Sequence, residues 1–413
     1  MRILYAVSLF SGLKKSIRQG SWEPSGAPTI YKIIERLDRG EDEVDFVFSA
    51  KEKDEEEARG AKRIMIRGLS SPVWLLPYGT RAKRFGLGRV GRELRQAIFL
   101  LRLHLARRYD LCYFNNGNLL VAALFASLGI SRVVLRIMGV YPVMKRVASA
   151  PKGIGDLIER AAYRAPYAHV ICTEDGSGGE WFLERALKGN VTRDLWINGV
   201  DWEEKRRDEP REIRVELGLD PDRPVILFLG KLEREKGCRE FLEAVIQLGH
   251  ARRDFQAAMV GRGPEADILK SLASESGLDK EVRFVPFVAH REIWKWYRAA
   301  DIYVSLNRLG SLSNANLEAM RYGTCMVMLR SDPVNHVDES TDHLLRDGCV
   351  IRISRENTVD DLVKALTHLL SHPEAIADTA RKVTIAARDL IPDWECRIER
   401  EIRCLQGIAS NLS

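Results

Sequence analysis

The chain has 413 residues, of which 45% are hydrophobic and 30% are charged, and its formal net charge is +6. Because one ordinary hydrophobic core does not organise so long a chain, we expect two domains of roughly 200 residues each. The seven cysteines form no Cys-x-x-Cys pair, which argues against a zinc site. The longest apolar stretch, residues 119–130, is shorter than the roughly 20 residues that a membrane-spanning helix needs.

Apolar and amphipathic runs alternate along the first half, as in a doubly wound sheet with helices on both faces. We interpret residues 2–9 as a first buried strand rather than a signal peptide, because Lys14 and Lys15 follow and no cleavage pattern is present. Residues 8–28 are rich in Gly, Ser and Pro and are predicted to form a loop. Further strands and helices are predicted at 28–37, 44–48, 111–114, 119–128, 133–137 and 170–172.

Charge is concentrated in one segment, residues 59–108, which holds thirteen Lys and Arg against a single acid, Glu93. Around residues 74–89 these cations alternate with aromatic and apolar residues. The following run places Leu94, Ile98, Leu101 and Leu105 on one stripe, and we expect that stripe to face the core. The segment could bind anionic lipid headgroups, attract a phosphorylated acceptor, or form a solvated basic face. No recognition module for nucleic acid is present.

In the second half, four loops follow apolar runs and predict a ligand site at the carboxyl ends of parallel strands. The loops lie at residues 228–237, 260–264, 285–288 and 311–320.

The first of these loops is a candidate diphosphate clamp. Gly230 and Gly237 frame Lys231 and Lys236, and the next helix would present its N-terminal amides beside them. The alternative is a solvated loop, because residues 233–235 between the lysines are charged. In the second loop, Gly261 and Gly263 would let the backbone approach a ligand or would simply make a tight turn.

The last loop leads into a predicted helix that begins near Ser313 and carries Glu318 one turn in. A carboxylate there can accept hydrogen bonds from two ribose hydroxyls, while the first-turn amides face the phosphates. Glu318 could instead be a helix-surface carboxylate. Asp220-Pro-Asp222 has the spacing of a metal-binding pair, but it precedes its strand, so we expect no metal site and no cofactor.

These motifs resemble those of the retaining glycosyltransferases of family 4. Residues 196–201 resemble the interdomain Asn-Gly-Val-Asp turn of that family, and residues 392–395 resemble the tryptophan motif that opens its final helix. The resemblance implies a GT-B fold, an α/β architecture of two Rossmann-like domains facing across a cleft. It assigns residues 1–198 to an acceptor-binding domain, 199–385 to a nucleotide-sugar-binding domain, and 386–413 to a C-terminal helix that returns to the first domain.

The resemblance also implies roles for individual residues. Lys231 and Lys236 would bind the donor diphosphate, Glu318 would hold the ribose, and the backbone of Phe287 and Val288 would read the base. The implied donor site further includes Gly26, Gly230, Gly261, Gly263, Leu312, Ser313, Asn314 and Ala315, with Gly26 approaching the donor phosphate from the first domain. Strand ends in that domain supply the expected acceptor residues Asn115, Asn116, Met138, Gly139 and Tyr141, and Thr173 and Asp175, after the strand at 170–172, are further candidates.

Two positions depart from the family pattern. Gly310 stands where the first glutamate of the Glu-x7-Glu motif is expected, and Met138 stands where a histidine commonly ends a strand. Both family positions contact the donor sugar, so the sugar and catalysis itself depend on what replaces them. Arg136, Asn314 and Asn316 are candidates among which the sequence does not choose.

The sequence therefore predicts a metal-independent, retaining glycosyltransferase with a UDP- or GDP-linked donor. Its acceptor would be a glycan or a polyprenyl-diphosphate-linked sugar in cell-envelope or exopolysaccharide synthesis. We expect a cytoplasmic protein, with peripheral binding to the inner face of the membrane through residues 59–108. The alternatives are a GT-B pseudoenzyme that binds nucleotide and scaffolds an assembly, and a nucleotide-sugar epimerase.

Overall fold

The computed structural model describes residues 1–50, 60–77, 88–201, 209–346 and 348–410. The chain forms two units, the first comprising residues 1–173, 179–196 and 395–413, and the second comprising residues 174–178 and 197–394. The division between Trp196 and Ile197 lies two residues before the expected boundary. The segment Glu174–Gly178 belongs to the second unit, which nothing in the sequence indicated.

The first unit is built on an eight-stranded sheet. Its strands are β1 (Arg2–Ser8), β2 (Glu43–Ser49), β3 (Lys62–Ile64), β4 (Val73–Leu76), β5 (Leu111–Asn115), β6 (Arg132–Ile137), β7 (His169–Glu174) and β8 (Arg193–Ile197). They lie in the order β3-β4-β2-β1-β5-β6-β7-β8. The pairs from β4 through β7 are parallel, and β3 runs antiparallel to β4. Without the edge strands β3 and β8, this is the 3-2-1-4-5-6 order of a Rossmann sheet.

The helices of this unit cover the sheet. They are α1 (Ser11–Gln19), α2 (Pro28–Asp38), α3 (Gly88–Arg107), α4 (Leu119–Ser127), α5 (Pro142–Ser149), α6 (Ile154–Tyr163) and α7 (Gly179–Ala186). The loop predicted over residues 8–28 was wrong for α1, which buries Gly12, Leu13 and Ser16 on one face. Strands β3, β4 and β8 were also missed.

The second unit contains a six-stranded sheet. Its strands are β9 (Val225–Leu229), β10 (Gln256–Val260), β11 (Val282–Val285), β12 (Ile302–Ser305), β13 (Cys325–Leu329) and β14 (Ile351–Ile353). All its pairs are parallel, in the order β11-β10-β9-β12-β13-β14, which again reads 3-2-1-4-5-6. The direction of winding reverses between β9 and β12, the point at which such sheets bind ligands. The predicted pair of Rossmann-like domains is confirmed.

The helices of the second unit flank this sheet. They are α8 (Pro210–Glu216), α9 (Cys238–Ala251), α10 (Ala266–Glu275), α11 (Ile293–Ala299), α12 (Asn314–Arg321), α13 (Glu339–Leu344), α14 (Thr358–Ser371) and α15 (Pro373–Leu390). The final helix, α16 (Trp394–Ser410), lies with the first unit from Glu395 onward. No described helix is long and apolar enough to cross a membrane.

Of the expected core stripe of α3, only Leu101 packs against the core. Leu94, Ile98 and Leu105 are 56%, 46% and 68% exposed, whereas Ala97 and Leu100 are buried. Helix α3 is therefore apolar on two faces, because its inward face uses neighbouring positions of the same helix. The outward stripe is a surface feature.

A buried ionic cluster holds α16 to the first sheet. Glu401 pairs with Arg136 of β6 at 3.3 Å and with Arg397 one turn earlier at 2.7 Å. The hydroxyl of Tyr113 also donates to Glu401. Burial alone would raise the pKa of Glu401, but the two guanidinium groups lower it below its usual value. One carboxylate thus compensates two buried cations.

We expect Glu401→Gln to lower the free energy of unfolding by about 3–5 kcal/mol, because it leaves two buried guanidinium groups without a counter-charge. The matched control is Glu399→Gln on the same helix, whose partners Arg36 and Arg403 both remain accessible to solvent; that change should cost less than about 1 kcal/mol. Urea denaturation of both variants measures the difference. Equal losses would mean that the cluster does not secure α16.

Candidate functional site

The loops after β9 and β10 lie against each other at the carboxyl edge of the second sheet. The amide of Gly230 donates to the carbonyl of Val260 at 3.0 Å, and the amide of Leu232 donates to the carbonyl of Arg262 at 3.0 Å. Gly261 has a φ of 148°, and a Cβ atom there would overlap the carbonyl oxygen of Gly230. Glycine at this position permits the close approach of the two loops.

The two lysines of the first loop lie in different environments. Lys231 has a 72% exposed side chain and pairs with Glu233 at 3.5 Å. Lys236 is partly buried, and this loss of solvent lowers its pKa, although Glu233 and Asp175 oppose the shift. A partly desolvated ammonium group interacts strongly with an incoming anion, so Lys236 is the stronger candidate for binding a diphosphate.

The loop before α12 is held by hydrogen bonds among its polar side chains. Ser313 is the N-cap residue, as predicted, and Asn198 donates to the side-chain oxygen of Asn314 at 2.8 Å. Asn316 is buried and bonds to Tyr303, Ser305 and the carbonyl of Ser311. These bonds fix the first turn of α12 with its amides at the switch point of the sheet. They also commit Asn316 to structure, so it does not compensate for Gly310.

Glu318 lies one turn into α12, as predicted, and accepts two side-chain hydrogen bonds. His290 contacts its Oε1 at 3.1 Å, and the hydroxyl of Tyr297 donates to its Oε2 at 3.1 Å. The carboxylate retains 20% of its side-chain exposure. Sequence reasoning missed His290, although its position two residues after Val288 was a usable signal.

A cation and an aromatic ring extend the site beyond β11. The guanidinium carbon of Arg262 lies 5.5 Å from the ring centroid of Phe287, which is 65% exposed. Val288 beside it is partly buried. An exposed ring with a cation over one face is a surface on which a planar base can stack. Arg262 was not among the predicted site residues, because only the glycines on either side of it were assigned a role.

The departure at Gly310 has a structural cause. Gly310 has a φ of 144°, and a Cβ atom there would lie 2.5 Å from the carbonyl oxygen of Asp175 and 2.8 Å from the amide nitrogen of Ser177. The segment Glu174–Gly178 therefore occupies the space that a side chain at position 310 would need.

Three carboxyl groups gather around this contact. Asp338 accepts from the amide and hydroxyl of Ser311 and pairs with Arg355 at 3.2 Å. Glu174 accepts from the amide of Gly176 and the hydroxyl of Ser340. Asp175 accepts from the amide of Ser177 at 3.0 Å, and burial raises its pKa to about 6. Burial also raises the pKa values of Glu174 and Asp338.

The residues expected in the first unit lie at the carboxyl ends of its strands. Asn115 ends β5, but its side-chain oxygen accepts from the amide of Ser8 at 3.2 Å, so this group is used inside the fold. Asn116 follows it in a short 3-10 turn, and Met138 and Gly139 follow β6. Tyr141 is exposed immediately before α5.

Gly26 and Arg136 complete the first-unit candidates. Gly26 has a φ of 97°, which suits glycine, and lies before α2. Arg136 is fully buried and bonds to Glu401, Thr173 and two carbonyls, so it does not replace the missing sugar contact.

Among the described residues, one group could hold a metal ion, formed by His169, Asp194 and Cys404 of the first unit. His169 already bonds through both ring nitrogens, to Thr192 at 2.8 Å and to Asp194 at 3.0 Å. Asp222 pairs with Arg211 at 2.7 Å and precedes β9, at the edge of the sheet opposite the four loops.

Comparison with known proteins identifies part of the second unit. Residues 209–389 match the family described as glycosyl transferases group 1. The match covers less than half of the chain. The matched region includes α8 through most of α15, and thus all four candidate donor loops.

Curated relatives match over part of their length. Alpha-D-kanosaminyltransferase from Streptomyces kanamyceticus is 31% identical over 163 residues, which are 40% of this chain and 40% of that protein. D-inositol 3-phosphate glycosyltransferase 2 from Catenulispora acidiphila is 30% identical over 220 residues, 51% of this chain and 49% of that protein. The chain thus spans half or less of the length of these relatives.

Solved structures match over almost the whole chain and share the two-domain GT-B fold. Sucrose-phosphate synthase from Thermosynechococcus elongatus has a TM-score of 0.71 and 17% identity, covering 98% of this chain and 99% of that one. HepE from Anabaena, in complex with UDP, has a TM-score of 0.69 and 16% identity, covering 98% and 100%.

The raised pKa of Asp175 predicts a pH-dependent cost to stability. The folded chain holds this proton up to about pH 6, whereas the unfolded chain releases it near 3.8, so wild-type stability declines as pH rises through that window. Asp175→Asn keeps the acceptor for Ser177 and should raise the free energy of unfolding by about 1–3 kcal/mol at pH 8, with little gain at pH 4.

Denaturation between pH 4 and pH 8 measures this effect. Asp254→Asn is the control of opposite sign, because a hydrogen bond from Arg252 lowers the pKa of Asp254. Parallel pH profiles for wild type and Asp175→Asn would contradict the assignment.

Proposed function

We propose that the protein is a retaining glycosyltransferase that moves a sugar from a nucleotide-sugar to a glycan or lipid-linked acceptor. The observation that carries this proposal is the convergence of Lys236, the first turn of α12 and Glu318 at the switch point between β9 and β12. A cation, free helix amides and a carboxylate match the diphosphate, sugar and ribose of such a donor. The complex of the Anabaena neighbour with UDP-glucose is consistent with this choice.

The mechanism follows from the charge that develops on the departing nucleoside diphosphate. Lys236 and the amides of Ser313, Asn314 and Ala315 would stabilise that charge in place, with Lys231 adding a solvent-exposed cation. The amide of Leu312, also expected in this role, instead donates to the carbonyl of Asp175 at 3.0 Å. We infer that the cations and amides do this without a metal. Retention, by front-face attack in which a donor phosphate oxygen accepts the acceptor proton, rests on the resemblance to family 4.

The remaining donor residues have positioning roles. Glu318, oriented by His290 and Tyr297, would accept from the ribose hydroxyls. The base would lie against Phe287, with Val288 contributing backbone groups and Arg262 closing one face. Gly230, Gly261 and Gly263 keep the loops close to the phosphates, and Gly26 belongs to the proposed donor contacts of the first unit.

The decisive experiment identifies the donor. Thermal shift with UDP, GDP and ADP, each with its glucose or mannose conjugate, tests binding, and release of free nucleotide with polyprenyl-phosphate-linked sugar acceptors tests turnover. Slow hydrolysis of one conjugate supports the proposal. Failure of every nucleotide to bind would contradict it, and addition of EDTA should leave turnover unchanged.

We expect Lys236→Ala to lower turnover by about 100-fold and Lys231→Ala by about tenfold, since only Lys236 is partly desolvated. Lys270→Ala, an exposed lysine of α10, is the matched control and should retain the wild-type rate. Initial rates with the donor found by the screen measure all three. Near-wild-type turnover in Lys236→Ala would overturn the clamp assignment.

Two other functions would give different results in the same screen. A pseudoenzyme that binds nucleotide and scaffolds an assembly is favoured by one observation, the absence of space for a side chain at position 310. It would bind nucleotide without turnover under every condition. An epimerase would interconvert donor sugars without an acceptor.

We further propose that the first unit binds anionic membranes, which would give access to acceptors of envelope-polymer synthesis. The loop at residues 78–87 lies outside the described residues, but the outward stripe of α3 interleaves Leu94, Ile98 and Leu105 with the exposed Arg95 and Arg102. Glu93 is buried and accepts from the amide of Leu120 at 2.8 Å, so it does not offset these cations at the surface.

Neighbouring helices extend this apolar surface. Helix α4 packs against both α3 and α6. Leu124 and Leu128, at the end of α4, and Ile154, Leu157 and Ile158 on α6 are exposed. An apolar surface bordered by cations suits lipid with anionic headgroups better than it suits bulk solvent.

The triple variant Leu94→Gln, Ile98→Gln, Leu105→Gln should lower co-sedimentation with phosphatidylglycerol-containing vesicles at least threefold, because it removes apolar area from the bilayer contact. The control pair Val215→Gln and Ile268→Gln changes exposed apolar residues of the second unit and should have no effect. Recovery should also fall at high salt. Equal wild-type recovery with pure phosphatidylcholine vesicles would contradict an electrostatic contribution.

A further inference from the structure

We propose that Asp175 contacts the donor sugar and supplies the carboxylate that is missing at position 310. This inference rests on the proposed glycosyltransferase function and deepens it by naming a residue that recognises sugar hydroxyls. The residues involved all belong to the second unit.

The backbone of residues 175–177 lies against Gly310. It occupies the space that a side chain at position 310 would need, so the chain segment itself replaces that side chain. The carbonyl of Asp175 accepts from the amide of Leu312 at 3.0 Å, and the carbonyl of Gly176 accepts from the amide of Asp338 at 2.7 Å. Asp175 is therefore anchored beside the loop that leads into α12.

The carboxyl group of Asp175 lies near the ammonium group of Lys236. This proximity favours the charged form of the lysine. The carboxyl group and the desolvated ammonium group thus border the same region as the first-turn amides of α12. The anomeric carbon of the donor adjoins its diphosphate covalently, so a carboxylate near the diphosphate-binding lysine lies within reach of the sugar.

The three neighbouring carboxyl groups differ in the hydrogen bonds that they already accept. Asp338 binds Ser311, Thr341 and Arg355, and Glu174 bridges Gly176 and Ser340. Asp175 accepts from the amide and the side chain of Ser177, and it remains partly exposed. An ionised carboxylate has about four acceptor sites, so Asp175 retains capacity for hydroxyl donors.

The alternatives for this role are committed elsewhere. Arg136 lies in the buried cluster with Glu401, Asn316 is bonded on both sides of its amide, and Asn314 accepts from Asn198. A sugar in this site would leave Asp175 with hydroxyl partners that compensate for its burial. Its ligand class is therefore a hydroxyl-bearing sugar rather than the nucleotide.

The test separates sugar recognition from nucleotide recognition. Dissociation constants for UDP and UDP-glucose, with GDP and GDP-mannose as a second pair, are measured for wild type, Asp175→Asn and Asp175→Ser. Both variants should bind the free nucleotide within about twofold of wild type. They should lose the added affinity of the sugar conjugate by about tenfold, the usual effect of removing a hydrogen bond to a charged group.

Deoxygenated donors locate the contact. Removing the hydroxyl that bonds Asp175 should weaken wild-type binding about tenfold and leave Asp175→Asn almost unchanged, because the two changes remove one shared interaction. Glu174→Gln, on the same segment but bonded to Ser340, is the matched control and should keep the wild-type preference for the sugar conjugate.

The outcomes are distinguishable. If Asp175→Asn and Asp175→Ser both keep the wild-type preference for the sugar conjugate, this inference is overturned while the proposed function stands. If wild type binds neither nucleotide nor conjugate, the proposed function fails first, and the inference fails with it.

Discussion

The reversal of winding between β9 and β12 is the constraint on which the candidate site depends. Chains leaving two adjacent parallel strands toward opposite faces of a sheet open a gap between their loops, and no side chain is needed to create it. In the second unit this gap receives the loop carrying Lys236 from one side and the first turn of α12 from the other. The strand order therefore places these two loops at the site, independently of any individual side-chain contact.

Two of the proposed binding groups in the candidate site lower the stability of the folded protein. Burial lowers the pKa of Lys236 and raises the pKa of Asp175, so the charged form of each group is disfavoured in the folded protein relative to a solvated arrangement. Asp338, by contrast, compensates its burial through Ser311 and Arg355. Of these adjacent carboxyl groups, Asp338 therefore stabilises the loop, whereas Asp175 can still accept hydrogen bonds from a ligand.

Much of this arrangement was predictable from local patterns. Uninterrupted apolar runs such as Val225–Leu229 identified buried parallel strands, and the glycine and lysine spacing after β9 identified the loop. The sequence could not show that Asp175, well over a hundred residues from Leu312, lies against it, because that contact depends on the path of the whole chain. The prediction for α3 was wrong for a different reason. This helix has two apolar faces, and periodicity does not say which of them faces the core.

The interleaving of the two units has a consequence for how the chain is made. Residues 1–197 contain every strand of the first sheet, yet Arg136 in that sheet has its carboxylate partner at residue 401. During synthesis the second unit is complete before this partner leaves the ribosome, so the domain translated first is the one finished last. A fragment ending at residue 196 would bury Arg136 without its carboxylate partner, and we expect α16 to stabilise an isolated first domain when supplied with it.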